Sequence, residues 1–329
     1  MLAVRVDAHG GPEVLRVVEV AEPRPGPGAV LVRHEVIGVN YVDTQHRAGT
    51  PYPVRLPLIP GIEAAGRVVG LGQGVDRLRA GDRVAYAGPM VGVYAELAAV
   101  PQEVLVPVPD RLPSRAAAAV LLQGMTAHAM THDVHHGSVG EWALVHAAAG
   151  GTGSLLVQFL LRQGVRVLAS TSSERKAGYL RGLGVEQVVD SRQADLAVAV
   201  RAAVPGGVDV VYDSVGRATF EASLRAVRPR GLIVAFGQSS GPVPPVDIAR
   251  LSGLTGEGLP GSVWLTWPSL GDYNATREAL AGRAAAVFGA VLDGTITPAI
   301  AASLPLAQAD RAHELLEARG VIGKVVLEA

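Results

Sequence analysis

Ala147, Gly150 and Gly153 stand at A-x-x-G-x-x-G spacing inside the stretch A-L-V-H-A-A-A-G-G-T-G-S, residues 143–154. An apolar run breaks into glycines and resumes as a second apolar run at Leu155. If the first run is a strand and the second a helix, the turn between them exposes the first N–H groups of the helix. Those groups have no intrahelical partner and lie at the positive end of the helix dipole, which suits an anion. In a dinucleotide-binding turn the first small residue permits the bend, the middle glycine lets the backbone approach a pyrophosphate, and the last lets helix and strand pack closely. Gly150, Gly151, Thr152 and Gly153 are therefore the candidate pyrophosphate contacts. The same spacing also occurs in plain strand-to-helix turns, so the surrounding elements carry much of the weight.

The next strand end selects the dinucleotide: an acid there holds the ribose 2′-OH of NAD, and a cation suits the 2′-phosphate of NADP. Here L-A-S-T-S-S-E-R-K places Ser172 before Arg175 and Lys176, which favours NADP. Glu174 is the rival, although a first-turn acid behind a cap at Ser172 or Ser173 accounts for it equally simply. Other constellations carry less. His128, His132 and His136 follow one another at helical spacing, but no acid partner is evident and an exposed polar helix end explains them. Ser154 and Ser214 have no identifiable His and Asp partners, and no G-x-S-x-G elbow is present.

The elements that must position these residues follow from periodicity. Up to about Pro113 short β-branched stretches alternate with turn residues, as in V-L-R-V-V-E-V, P-R-P-G-P-G and A-V-L-V-R-H-E-V-I-G-V, which predicts a mostly antiparallel β domain. Alanine and leucine predominate from Ser114 to Ala129, predicting a helix and a domain boundary. Beyond it, W-A-L-V-H-A-A, V-R-V-L-A-S-T, E-Q-V-V-D, V-D-V-V-Y-D-S and G-L-I-V-A-F-G are near-continuous apolar strands separated by helix-length segments. Such alternation predicts a doubly wound parallel sheet covered on both faces. The expected fold class is α/β, with a Rossmann sheet over residues 123–262 inserted into the β-rich domain that begins with residues 1–122. Residues 263–329 supply an edge strand, S-V-W-L-T-W, and a C-terminal strand, G-K-V-V-L-E, that returns to the first domain.

Composition excludes several classes. The 329 residues carry 29 basic and 30 acidic side chains, so a net charge of −1 argues against nucleic acid as a partner. With no cysteine there are no disulfides, thiolate zinc sites or cysteine nucleophiles. Arg5 and Asp7 interrupt any signal-peptide core, and no apolar run approaches the roughly 20 residues of a membrane span. A cytoplasmic protein with no membrane partner is expected.

From end to end the chain resembles the zinc-free, zeta-crystallin-like quinone oxidoreductases of the medium-chain dehydrogenase/reductase superfamily. The resemblance rests on H-G-G-P-E-V-L, G-V-N-Y-V-D-T, P-G-I-E-A-A-G, G-V-D-R-L-R-A-G-D-R-V, H-A-A-A-G-G-T-G, V-V-Y-D-S-V-G, F-G-Q-S-S-G and R-A-H-E-L-L-E-A-R. It implies a GroES-like catalytic domain completed by the C-terminus, NADPH bound beside it, and reduction of a quinone. Zinc alcohol dehydrogenases of the same superfamily carry cysteine at the place of Asp43 and G-H-E at that of Gly61, Ile62 and Glu63, so the resemblance implies no metal site here.

Residue by residue, the resemblance places Asn40, Tyr41 and Val42 on the nicotinamide side, with Asn40 and Asp43 as the catalytic candidates. Thr126, Gly150 to Gly153, Ser172, Lys176, Phe236, Gly237, Gln238, Ser239 and Arg319 complete the implied cofactor contacts, Ser172, Lys176 and Arg319 serving the adenosine phosphate. Gln45, Ser191 and Trp267 depart from family tyrosine, tyrosine and arginine, which leaves the acceptor's identity open. An enoyl or enone reductase is the alternative within the superfamily. An NADPH-binding sensor, structural or RNA-binding protein with little turnover is the alternative outside it. Pairing of Rossmann edge strands further implies a homodimer.

Overall fold

The structure, a computed structural model, describes residues 1–88 and 91–329. These form two compact units, residues 1–125 with 273–329, and residues 126–272.

The chain begins with β1 (Leu2–Arg5) and β2 (Arg16–Glu19), an antiparallel pair, and continues through β3 (Ala29–Val39), helix α1 (Tyr41–Ala48), β4 (Glu63–Leu71), β5 (Arg83–Ala87), β6 (Leu97–Pro101) and β7 (Val106–Pro107). Helix α2 (Ser114–Ala129) follows, as its alanine and leucine content predicts. Strand β3 shows how sequence sets position. Val30, Val32, His34 and Val36 turn inward by alternation, and from Val36 to Val39 every residue is buried, so the strand enters the core just before α1 starts.

The second unit alternates as expected: β8 (Trp142–Val145), α3 (Gly151–Arg162), β9 (Arg166–Thr171), α4 (Glu174–Gly182), β10 (Gln187–Asp190), α5 (Leu196–Ala203), β11 (Val208–Asp213), α6 (Phe220–Ala226), β12 (Val227–Ala235), β13 (Trp264–Thr266) and α7 (Leu270–Tyr273). Its strands are parallel in the order β10-β9-β8-β11-β12-β13. The order reverses between β8 and β11, and ligands of such sheets bind at the carboxyl ends of the strands beside that reversal. The inner strands β9 and β11 are almost wholly buried while the edges β10 and β13 are partly exposed, as position in a doubly covered sheet requires.

Helix α8 (Arg277–Leu292), β14 (Ile300–Pro305), α9 (Ala309–Glu317) and β15 (Lys324–Glu328) then return to the first unit. There β15 pairs antiparallel with β3 and parallel with β14, completing a sheet of order β14-β15-β3-β4-β5-β7 with β6 also on β3. The mostly antiparallel sheet agrees with the fold class read from the sequence.

The histidine series differs from expectation. His128 and His132 are stacked, ring centroids 3.9 Å apart, and both lie edge-on to Phe159 rather than on an exposed polar end. The apolar wall of α3 offers them a packing surface, and the chain widens into a π-turn at Met130–Val134 as it passes. His135 does have an acid partner, Glu141, at 3.2 Å. Among the described residues no group of three or more His, Cys, Asp and Glu side chains is placed to hold a metal ion.

Candidate active site

The glycine turn takes the form its spacing suggests. Ala147 adopts a left-handed backbone, φ 49°, immediately after β8, and Gly150 is the extended N-cap of α3. The Gly150 N–H closes the turn on the Ala147 carbonyl at 2.9 Å, and the Ser154 N–H makes the first helical bond, to the Gly150 carbonyl, at 2.9 Å. The N–H groups of Gly151, Thr152 and Gly153 precede that bond and so have no acceptor within the helix. Close packing explains the third glycine: a Cβ on Gly153 would meet the Ala147 carbonyl at 2.5 Å and Ala148 Cα at 2.9 Å. Only a residue without a side chain lets α3 start so near the strand end.

At the end of β9, Ser172 leads into Ser173, whose hydroxyl caps α4 by accepting the Lys176 N–H at 3.4 Å. Glu174 sits in the first turn, exposed and paired with Arg181 at 2.5 Å, which is the capped-helix reading rather than the ribose-binding one. Lys176 is half-buried, and desolvation followed by the neighbouring Arg175 charge lowers its ammonium pKa. Both effects penalise a cation here, so an anion at this place relieves them.

Phe236, Gly237, Gln238 and Ser239 follow β12, half-buried, with their backbone held on the loop after β11: Phe236 N–H donates to Asp213 O at 2.9 Å and Ser239 N–H to Ser214 O at 3.3 Å. A largely apolar cavity of about 430 Å³ opens where β12 and β13 end, with Phe220, Gln238, Leu265 and Trp267 in its wall. Thr126 stands, half-buried, near the end of α2.

In the first unit Asn40 precedes α1 and is buried. Its amide nitrogen donates to Glu63 Oε2 at 2.9 Å and Gly38 O at 3.2 Å, while its amide oxygen accepts from Lys324 Nζ at 2.6 Å and Gln123 Nε2 at 3.5 Å. Lys324 also donates to Glu63 Oε2 at 2.6 Å, and Glu63 Oε1 accepts the Leu122 N–H at 2.7 Å. Gly38 is required here, because a Cβ at this position would collide with the Glu63 carboxylate and the Ala118 carbonyl. A buried ammonium thus stands between the Glu63 carboxylate and Asn40.

Asp43, fully buried on α1, accepts the Asn40 N–H at 2.8 Å and the Tyr94 hydroxyl at 3.1 Å, both at Oδ2, whereas Oδ1 has no partner. Burial raises its pKa to about 7 against those hydrogen bonds and the Lys324 charge. Arg47 donates to His313 Nδ1 at 3.2 Å, which leaves the proton on Nε2, 3.0 Å from the Tyr94 oxygen. Arg47 is itself paired with Glu317 at 2.6 Å. Burial, and secondarily Arg47, lower the His313 pKa to about 3.

The structure therefore gathers Asn40 and Asp43 with Tyr41 and Val42 around the start of α1, and the turn glycines at the start of α3. Arg319 lies just past α9 in the first unit, exposed, with φ 53°. Lys324, Tyr94 and His313 were missed as members of the site. A lone lysine inside the apolar G-K-V-V-L strand was the signal available for the first.

Two family profiles match the chain: "Alcohol dehydrogenase GroES-like domain" over residues 26–110 and "Zinc-binding dehydrogenase" over residues 183–327. A quinone oxidoreductase of Pseudomonas aeruginosa is 40% identical, the match covering 98% of each chain. The chain belongs to the quinone oxidoreductase family of the medium-chain dehydrogenase/reductase superfamily. Other members and neighbours agree in extent. A 2-haloacrylate reductase of a Burkholderia species is 36% identical over 99% of this chain and 98% of its own. A mycobacterial structure complexed with NADPH superposes with TM-score 0.94 at 42% identity, and the Escherichia coli quinone oxidoreductase complexed with NADPH with TM-score 0.94 at 35%, each covering 100% of both chains.

Proposed function

We infer that this chain is an NADPH-dependent quinone oxidoreductase. The observation that carries the reading is the turn from Ala147 to Gly153, whose forward N–H groups and excluded Cβ make a place for a diphosphate, in a chain whose full-length relatives include two solved with NADPH. Gly150, Gly151, Thr152 and Gly153 hold the diphosphate, Ser172 and Lys176 the 2′-phosphate, and Thr126, Phe236, Gly237, Gln238 and Ser239 the nicotinamide half. When bound, NADPH supplies the reducing equivalents. The side chains contribute position: Lys324 and Glu63 fix the Asn40 amide, and Asp43 fixes the Asn40 backbone, so that Asn40, Tyr41 and Val42 are held as one rigid edge.

Oxidation of NADPH followed with a panel of quinones and enones tests the activity. Turnover with quinones and little with enones is expected, and NADPH binding without turnover on any acceptor would overturn it. The relative that reduces 2-haloacrylate gives weight to a second reading, an activated alkene as acceptor, and the same panel separates the two.

A homodimer belongs to this proposal. Among the described residues the edge strand β13 has one side unpaired, and it exposes Trp264 at 70%; a second copy adding its own β13 would cover both. Light scattering that returned a monomer would remove it. A cytoplasmic location is likewise proposed, in keeping with a chain that contains no cysteine.

A further inference from the structure

We propose that His146 is a positioning residue for the dinucleotide, at the centre of a buried hydrogen-bond chain, Ser170–His146–Ser223–Asp213, that fixes the two flanks of the cradle separately. The inference rests on the NADPH reading above. His146 stands between the end of β8 and the left-handed Ala147 that opens the turn, and Ser170, His146, Ser223 and Asp213 are all buried.

The direction of the chain is determined by its acceptor end. The Ser223 hydroxyl donates to Asp213 Oδ2 at 2.7 Å, a shorter bond to a charged acceptor than the alternative, Thr219 O at 3.1 Å. Its oxygen is then free to accept from His146 Nε2 at 3.0 Å, which puts the imidazole proton on Nε2. Nδ1 is left as an acceptor, and the Ser170 hydroxyl donates to it at 2.9 Å. Burial favours the neutral imidazole that this pattern needs.

Each end serves a different part of the cradle. Ser170 lies on β9 two residues before Ser172, and its carbonyl accepts the Ala148 N–H of the turn at 3.3 Å. Asp213 uses Oδ1 to hold the N–H groups of Val215 and Gly216, at 2.8 and 3.0 Å, and the Thr219 hydroxyl at 2.8 Å. The Asp213 carbonyl in turn accepts the Phe236 N–H, and Ser214 in that loop accepts the Ser239 N–H. The Ser170 arm therefore positions the phosphate-selective strand end, and the Asp213 arm positions the loops of the nicotinamide half.

The two ring nitrogens can be replaced one at a time. Asparagine at 146 keeps an acceptor near Ser170 but falls short of Ser223, and glutamine can donate to Ser223 but offers Ser170 no acceptor at the Nδ1 position. The test measures dissociation constants for NADPH and NADH by fluorescence titration, without turnover, together with thermal melting. Ser170→Ala and His146→Gln are expected to lower the preference for NADPH over NADH by about fivefold with NADH affinity kept, as the loss of one hydrogen bond allows. Ser223→Ala and His146→Asn are expected to weaken both coenzymes by the same factor. Four variants with wild-type affinities, or four that weaken both coenzymes only in step with lost thermal stability, would overturn the inference. Wild-type protein that binds neither coenzyme would sink the functional reading and this inference with it; a wild-type preference that every variant retains would sink the inference alone.

Discussion

The starts of α1 and α3 use their polar groups in opposite ways. Around the start of α1, Asn40, Glu63 and Lys324 turn their donors and acceptors on one another, within a core where Lys324 and Glu63 are 2% and 0% exposed. At the start of α3 the backbone N–H groups have no acceptor within the helix, and Gly153, without a side chain, lets the helix begin close against the strand end. Buried groups with every partner present make a scaffold; donors left facing outward make a place for a ligand. Asp43 stands between the two patterns, since one carboxylate oxygen is held twice and the other has no partner.

The contrast is broken most severely at Lys324. Lys324→Met leaves the Glu63 carboxylate buried without its cation and is expected to cost about 3–5 kcal/mol in chemical denaturation, part of which Glu63→Gln should restore in the double variant. An equal loss in Lys324→Met and Lys324→Met/Glu63→Gln would show that the charge pair is not what holds this centre.

A smaller effect comes from pH. Asp43 has its pKa raised from 3.8 to about 7, so between those values the folded chain holds a proton that the unfolded chain releases. The stability this contributes is complete below pH 3.8 and is lost as pH rises through about 7. His34 and His313, lowered from 6.5 to about 4 and about 3 by burial, act oppositely: their contribution is lost as pH falls from 6.5 through those values. Asp43→Asn removes only the first trend. Its stability relative to wild type should rise by a few kcal/mol between pH 5 and pH 8 in urea titrations, and a pH-independent difference would contradict the assignment.

Three finer changes, one at the turn and two in α4, sharpen the comparison. Gly153→Ala forces α3 off the strand end and should weaken NADPH binding at least about tenfold, as loss of a close backbone approach implies. Gly178→Ala in α4, where a Cβ meets nothing within 4 Å, should leave affinity unchanged and add about 0.5–1 kcal/mol of stability. Smallest of all, Lys176→Ala should weaken NADPH several-fold and leave NADH untouched in side-by-side titration, since one charge-assisted contact is removed.

What the sequence made legible was local. The glycine turn, the strand–helix alternation and the Ser114–Ala129 helix each follow from spacing within a dozen or so residues, and the structure reproduces them. The Asn40 centre was only half legible, because Lys324 reaches Glu63 and Asn40 across 261 and 284 residues of chain, through a pairing of β15 with β3 that no local period encodes. The histidines at 128 and 132 misled for a related reason: their i, i+4 spacing was visible, but Phe159, the surface that packs them, belongs to another helix. His146 was read as part of an apolar strand end, and its partners at 170 and 223 became visible only once β8, β9 and α6 were assembled.

A crystal structure of the chain with NADPH tests the central claim most directly. Diphosphate oxygens accepting hydrogen bonds from the N–H groups at the start of α3, Gly151 to Gly153, are the predicted result. A coenzyme seated elsewhere, with that turn bare, would contradict it.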